Sequence, residues 1–171
     1  VRIQQILETS SEHAPGLTAM PPIRGEVEFE RVTFGYDAER PVLQDISLRA
    51  EPGETVALVG QTGAGKTSII NLLCRFYEPQ AGVIRVDGQD IRQVDLDSYR
   101  KQIALVLQEP FLFSGTVRDN LRYGNTQATD EQMKAALAAA GLDLPLDLVL
   151  HERGGNLSSG QRQLLSFARA I

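Results

Sequence analysis

The chain has 171 residues and a formal net charge of −5, with 42% hydrophobic and 23% charged residues. This composition is ordinary for a soluble globular domain, and the negative charge argues against a non-specific nucleic-acid binder, so no nucleic-acid partner is predicted. A single cysteine, Cys74, excludes an internal disulfide and fits a reducing compartment. No apolar run approaches the ~20 residues of a membrane span, and no signal peptide is recognisable.

The first 22 residues predict the end of a helix and a linker. Ile3, Ile6 and Leu7 share one helical face, and the stretch 9–22 is polar and interrupted by proline and glycine. Because a helix that begins at residue 1 has no cap, we expect the chain to be cut out of a longer one.

An antiparallel β layer is predicted next. Within residues 26–34 the apolar positions change from odd to even numbers, which predicts a bulge near Glu30–Arg31. Residues 41–50 continue as strand, and residues 82–88 form a further short strand between turn signals.

The pattern then alternates between strands and helices. The runs at 55–60 and 103–108 are continuously apolar, as in strands that are covered on both faces. Helices are predicted over 65–77 and 129–141, the second with Thr129 as N-cap, Gln132 completing a capping box and Gly141 as C-cap. This order of elements indicates an α/β protein.

The final stretch, Leu157 to Ile171, predicts another helix. Ser158 is a candidate N-cap and Gln161 lies three residues later, the spacing of a capping box. A helix that begins with serine and glycine presents backbone N–H groups and a positive dipole end, which suits an anion.

A phosphate-binding loop is predicted at "GQTGAGKT", Gly60 to Thr67, which matches G-x-x-x-x-G-K-[ST]. In this motif the backbone N–H groups surround the phosphates, the lysine reaches the β- and γ-phosphates, and the threonine hydroxyl binds Mg²⁺. The alternative is a glycine-rich turn with an exposed lysine. The position of the loop between an apolar run and a helix favours nucleoside triphosphate binding.

Tyr36 lies in a loop between two β segments and could stack on a purine. From the residues alone, a tyrosine beside a glycine is more often a packed turn residue.

The phosphate loop, then "LVLQEPFLFSGTVRDNL", then "LSSGQRQLLSFARA", resemble in this order the nucleotide-binding domain of ABC transporters. "LSSGQ" differs by one serine from the usual LSGGQ signature. The resemblance implies a P-loop NTPase core with an N-terminal antiparallel β subdomain and an α-helical signature subdomain. Residues 1–24 would be the end of a transmembrane-domain helix and a linker, 25–171 the ATP-binding domain, and roughly 109–165 its helical part.

The resemblance also implies the roles of individual residues. Lys66 and Gln108 would be catalytic, Thr67 and Gln108 would contact Mg²⁺, and Tyr36 would stack on adenine; the alternative for Gln108 is a polar residue at a strand end. The residues implied to bind ATP are Tyr36, Gly60, Gln61, Thr62, Gly63, Ala64, Gly65, Lys66, Thr67 and Ser68. The signature residues implied to act on a partner's ATP are Ser158, Ser159, Gly160 and Gln161.

Several elements of the family are not found in this sequence: a hydrophobic strand that ends in Asp-Glu, and a switch histidine. His13 lies in the linker and His151 precedes the signature, so both are interpreted as surface residues. We therefore expect the C-terminal part of the core to be missing and the fragment alone not to hydrolyse ATP.

Taken together, the motifs resemble the exporter branch, in which the ATPase follows the membrane domain in one polypeptide. This implies ATP and Mg²⁺ as ligands and a second nucleotide-binding domain in a head-to-tail dimer. It also implies a transmembrane domain of the same polypeptide and a location at the cytoplasmic face of a bacterial inner or plasma membrane. The alternatives are an ABC-type ATPase of DNA repair or chromosome organisation and a non-hydrolysing nucleotide-binding module. The first of these usually has a long coiled coil between loop and signature, and no heptad run is present.

Overall fold

A computed structural model describes residues 16–171, and these residues fall into two compact units that divide between Ile103 and Ala104. The helix predicted at residues 1–8 and the first part of the linker lie outside the described residues. Both units contain helices and strands, so the predicted α/β class is confirmed.

The first unit is built on a four-stranded antiparallel sheet, as predicted. Its spatial order is β2-β1-β3-β4. The strands are β1 (Val27–Phe34), β2 (Leu43–Ala50), β3 (Ala81–Val86) and β4 (Gln89–Asp90).

The predicted bulge in β1 is confirmed. The pairing of β1 with β2 shifts register between Phe29 and Val32, and Arg31 has a left-handed φ of 47°. Phe29 and Val32 are both buried although their numbers differ in parity. The bulge therefore lets both halves of the strand present apolar residues to one core.

The described part of the first unit also contains two helices and a 3₁₀ turn. They are α1 (Lys66–Leu73), the 3₁₀ turn Ile91–Gln93 and α2 (Leu96–Arg100). The helix predicted over 65–77 is shorter than expected, because it ends at its C-cap Cys74. The core lies between the sheet and these helices and contains Met20, Phe29, Val32, Phe34, Leu43, Leu72, Ile84, Val86, Ile91, Val94 and Tyr99.

The second half of the predicted linker lies against this unit. Thr18 forms a parallel bridge with Val94, and the Met20 side chain is buried in the core. The Met20 N–H donates to the Ser98 hydroxyl at 2.8 Å. These contacts tie residues 18–20 to the first unit.

Two predictions of buried strands are wrong. Residues 55–60 and 103–108 form neither helix nor strand, and Val59 is 88% and Leu107 52% exposed. A strand needs a neighbouring strand that pairs with its backbone groups. Within residues 16–171 neither segment has such a partner, so the apolar pattern alone does not produce a strand.

The second unit is mainly helical. Its elements are β5 (Gly115–Thr116), α3 (Val117–Arg122), α4 (Asp130–Ala139), β6 (Val149–Leu150), the 3₁₀ turn Glu152–Gly154 and α5 (Ser159–Ala170). The strands β5 and β6 pair antiparallel. The core of this unit contains Leu112, Val117, Leu121, Met133, Leu137, Leu142, Leu146, Leu150, Leu157, Leu165 and Ala168.

The caps of α4 in the second unit lie at or next to the predicted residues. Thr129 and Gln132 form the predicted capping box of α4. The C-cap is Ala140, one residue earlier than predicted, and Gly141 follows it with a left-handed φ of 71°. Among residues 16–171, no helix has the length and apolar character needed to cross a lipid bilayer.

Candidate functional site

The loop from Gly60 to Thr67 runs directly into α1 in the first unit. Gly63 and Gly65 have left-handed φ angles of 86° and 85°, which only glycine adopts without strain. Gly65 is also buried, and a Cβ at this position would lie 2.6 Å from Cδ2 of Leu43. The loop therefore packs closely on the β layer while its turn stays open.

Lys66 is held inside the loop. Its Nζ donates to the carbonyl oxygens of Gly60 and Gln61, each at 2.7 Å. An ammonium group has three donors, so one remains for a further acceptor. The two carbonyl groups thus hold the positive charge of Lys66 inside the turn of the loop.

The N-terminus of α1 is available to an anion. Gly65 is the N-cap and provides no side-chain hydrogen bond to the first turn, and no acidic residue lies in that turn. The first N–H groups and the positive end of the helix dipole therefore combine with the charge of Lys66. Thr67 is exposed, and Ser68 is buried in the same turn.

Tyr36 lies between β1 and β2, as predicted, and also belongs to the first unit. Its ring meets the rings of Phe34 and Tyr77 edge to face, with centroids 5.0 Å apart in each case. The residue is 52% exposed. A ring that packs against two aromatic neighbours and is still half exposed combines the two alternatives considered for it, a packed turn residue and a stacking surface.

The hydroxyl of Tyr36 connects it to α1. It lies 3.2 Å from the Ser68 hydroxyl and accepts a hydrogen bond from the Asn71 amide at 3.1 Å. Neither Asn71 nor Tyr77 was predicted from the sequence. The available signal was the spacing of Ser68 and Asn71, which lie three residues apart and therefore on one side of the predicted helix.

The second unit carries Gln108 and the signature residues. Gln108 is exposed and follows an irregular segment, so the expectation that it ends a buried strand is wrong. Ser158 is the N-cap of α5, as predicted. Its hydroxyl oxygen accepts from the Gln161 N–H at 3.1 Å, and the Gln161 side chain accepts from the Ser158 N–H at 2.9 Å.

Beyond the cap, the signature is open. Ser158, Ser159 and Gly160 are all exposed. A Cβ at Gly160 would have the Ser158 hydroxyl at 3.9 Å as its nearest contact, so the backbone here is accessible rather than packed. The start of α5 can therefore offer N–H groups and the hydroxyl proton of Ser158 to an anion.

Other candidate reactive groups do not add to these sites. Cys74 is buried at the end of α1, and desolvation raises the pKa of its thiol, which disfavours the reactive thiolate. His151 is exposed, and His13 lies outside the described residues. Within residues 16–171, no group of three acidic, histidine or cysteine side chains is placed to hold a metal ion.

Known proteins resemble this chain over nearly its whole length. A solved structure described as a bacterial Atm1-family ABC exporter with ATP bound superimposes with a TM-score of 0.91 at 37% identity, over 99% of this chain and 31% of that one. This likeness confirms the predicted fold.

Curated relatives agree with the structural match. The β-(1→2)glucan export ATP-binding/permease protein NdvA of Rhodopseudomonas palustris is 49% identical over 91% of this chain and 27% of its own length. The fatty acid ABC transporter ATP-binding/permease protein of Mycobacterium bovis is 42% identical over 99% of this chain and 28% of its own length. The chain thus spans less than a third of these relatives.

The family model described as "ABC transporter" matches residues 43–171, which include the loop, Gln108 and the signature. This match covers most of the chain and all three motifs on which the resemblance was based. The chain belongs to the ABC transporter family.

Proposed function

We propose that this chain binds ATP with Mg²⁺ at Gly60–Thr67 and, in the intact dimeric transporter, takes part in ATP hydrolysis that drives export of a substrate across a membrane. The observation that carries this proposal is the position of Lys66, held by two loop carbonyls at the uncapped start of α1. The names of these relatives, which join "ATP-binding" with "permease", support the coupling to transport.

The residues of the loop would act mainly by binding and charge compensation. Lys66 places its ammonium against the β- and γ-phosphates, and the open N–H groups of α1 donate to phosphate oxygens. The Thr67 hydroxyl would hold Mg²⁺, which neutralises charge on the phosphates when it is bound.

The remaining site residues are proposed from the family resemblance. Gln108 would contact Mg²⁺ and the attacking water, and Tyr36 would stack on adenine through its exposed face. The signature, Ser158 to Gln161, would bind the γ-phosphate of ATP held by a second nucleotide-binding domain. That arrangement requires a head-to-tail dimer at the cytoplasmic face of a bacterial membrane, each domain joined to a transmembrane domain.

The assignment of the loop is tested with Lys66→Ala in the full-length protein. Removing a charge-assisted contact of about 1.5–3 kcal/mol should weaken binding of a fluorescent ATP analogue roughly 10- to 100-fold. Lys101→Ala is the matched control, because Lys101 is an exposed lysine of the same unit. Equal affinity of the Lys66 variant and this control would refute the phosphate-loop assignment.

The role of the signature is tested with Ser158→Arg. In the intact transporter this change should leave ATP binding nearly unchanged and abolish dimer closure and turnover. In a tethered pair of one mutant and one unmodified domain, photo-crosslinking should locate the defect at the partner's nucleotide. A defect at the mutant chain's own nucleotide would show that the signature acts in cis.

A non-hydrolysing module is the remaining alternative, and it is distinguished by comparing ATP binding with phosphate release in the same preparation. Stoichiometric binding without any release of phosphate by the full-length protein would favour the module over the ATPase. We do not propose a role in DNA repair or chromosome organisation, because the named relatives are transporters.

A further inference from the structure

The hydroxyl of Tyr36 is not needed for stacking, yet it is part of a small hydrogen-bond network. The Asn71 amide donates to it at 3.1 Å, and the Ser68 hydroxyl lies 3.2 Å away. Stacking uses only the flat face of a ring. The hydrogen bonds of the Tyr36 hydroxyl are therefore separate from any stacking contact between the ring and a base.

The Asn71 amide fixes the direction of one hydrogen bond in the network. The Asn71 Nδ2 can only donate, so the Tyr36 oxygen accepts there and keeps its own proton. The hydroxyls of Tyr36 and Ser68 share a second hydrogen bond, in which either oxygen can be the donor. The Tyr36 hydroxyl is thus joined to α1 at two positions, Ser68 and Asn71.

Two aromatic side chains pack against the Tyr36 ring. Phe34 and Tyr77 contact the ring edge to face, at interplanar angles of 78° and 88°. These contacts and the hydrogen bonds of the hydroxyl together hold the ring. Phe34 is buried, whereas Tyr77 is 46% exposed, so Tyr77 is the less tightly packed of the two neighbours.

We propose that Asn71 is a positioning residue for nucleotide binding: its amide fixes the plane of the Tyr36 ring relative to α1, so that the ring receives adenine while the loop receives the phosphates. This inference rests on the proposed function of the loop and of Tyr36. Asn71 itself touches no nucleotide in this proposal. Its effect should therefore depend on the Tyr36 hydroxyl and on the presence of a base.

The test compares Asn71→Leu, Tyr36→Phe and the double variant in the full-length protein. Leucine has the same number and branching of side-chain heavy atoms as asparagine but no donor, and phenylalanine keeps the ring without its hydroxyl. ATP and inorganic triphosphate are each titrated in competition with a fluorescent ATP analogue. Tyr36→Ala, which removes the stacking face, is the reference for loss of the base contact.

Loss of one hydrogen bond should weaken ATP binding about three- to tenfold in each single variant. Affinity for inorganic triphosphate should stay within about twofold. The double variant should bind ATP no more weakly than Tyr36→Phe, because that change already removes the hydrogen bond to Asn71.

Two results would overturn the inference without contradicting the proposed phosphate-binding role of the loop. ATP affinity of Asn71→Leu equal to that of the unmodified protein would show that the ring needs no anchor. Equal loss for ATP and inorganic triphosphate would show damage to the loop rather than to the ring. If Tyr36→Ala also leaves ATP affinity unchanged, the proposed adenine contact itself is wrong, and the inference falls with it.

Discussion

Replacement of Gly65 by alanine should damage the phosphate loop through a steric contact that can be separated from backbone strain. The new Cβ would lie 2.6 Å from Cδ2 of Leu43 and 3.4 Å from Cγ1 of Val42. Leu43 is only 3% exposed and belongs to the core of the first unit, so its side chain cannot move aside freely. Forcing such a contact in a packed core costs about 1–3 kcal/mol.

Gly63→Ala is the matched control. Gly63 has almost the same φ, 86° against 85°, but a Cβ there would have no atom within 4 Å. Both variants should therefore carry the strain of a left-handed alanine, about 1–2 kcal/mol, and only Gly65→Ala should add the contact. The difference in local stability between the two variants therefore measures the cost of the steric contact alone.

The assay is native-state hydrogen exchange of β2 and α1 in the full-length protein without nucleotide, because exchange reports local opening in a large assembly. A difference of about 1–3 kcal/mol corresponds to exchange roughly 5- to 150-fold faster in Gly65→Ala than in Gly63→Ala. Equal exchange in the two variants would refute the close packing of the loop on Leu43.

Two further predictions concern the second unit. Leu165→Ala should destabilise this unit by about 2–5 kcal/mol, because Leu165 is fully buried. Phe167→Ala, at a 42% exposed position of the same helix, is the control and should destabilise the unit much less. Both variants are measured by thermal melting of the full-length protein. The Thr116 N–H and hydroxyl donate to Asp119 and hold the pKa of its carboxyl below the usual value. This contribution should be present above about pH 4 and be lost as the pH falls through the folded-state pKa. Protection against hydrogen exchange at the start of α3, measured relative to the intrinsic exchange rate at each pH, should therefore fall with acid in the unmodified protein and not in Asp119→Asn.

Features set by neighbours along the chain could be predicted from the sequence. The capping boxes of α4 and α5 join residues three apart, and both are present where the residue types indicate them. The bulge in β1 follows from the change in apolar phase, because each half of the strand must face the same core. The turns of the glycine-rich loop could likewise be predicted, because the left-handed backbone angles there are ones that glycine adopts without strain.

Features set by distant neighbours could not be predicted. The apolar runs at 55–60 and 103–108 indicated strands, but a strand requires backbone partners, and apolar composition does not specify them. The contacts of the Tyr36 hydroxyl with Ser68 and Asn71 join residues more than thirty positions apart. Such contacts depend on how the β layer packs on α1, which periodicity does not encode.

The two segments suited to anions differ in what they can contribute. The loop has a positive charge, Lys66, and a helix start without a side-chain cap. The signature has no charged residue from Ser158 to Gln161, and its cap already uses the Ser158 oxygen and the Gln161 N–H. Neutral donors add little affinity for an anion in water, because they replace hydrogen bonds to solvent. They become effective where water is excluded, as when two domains close over a nucleotide. ATP affinity should thus depend on the loop, whereas closure and turnover should depend on the signature.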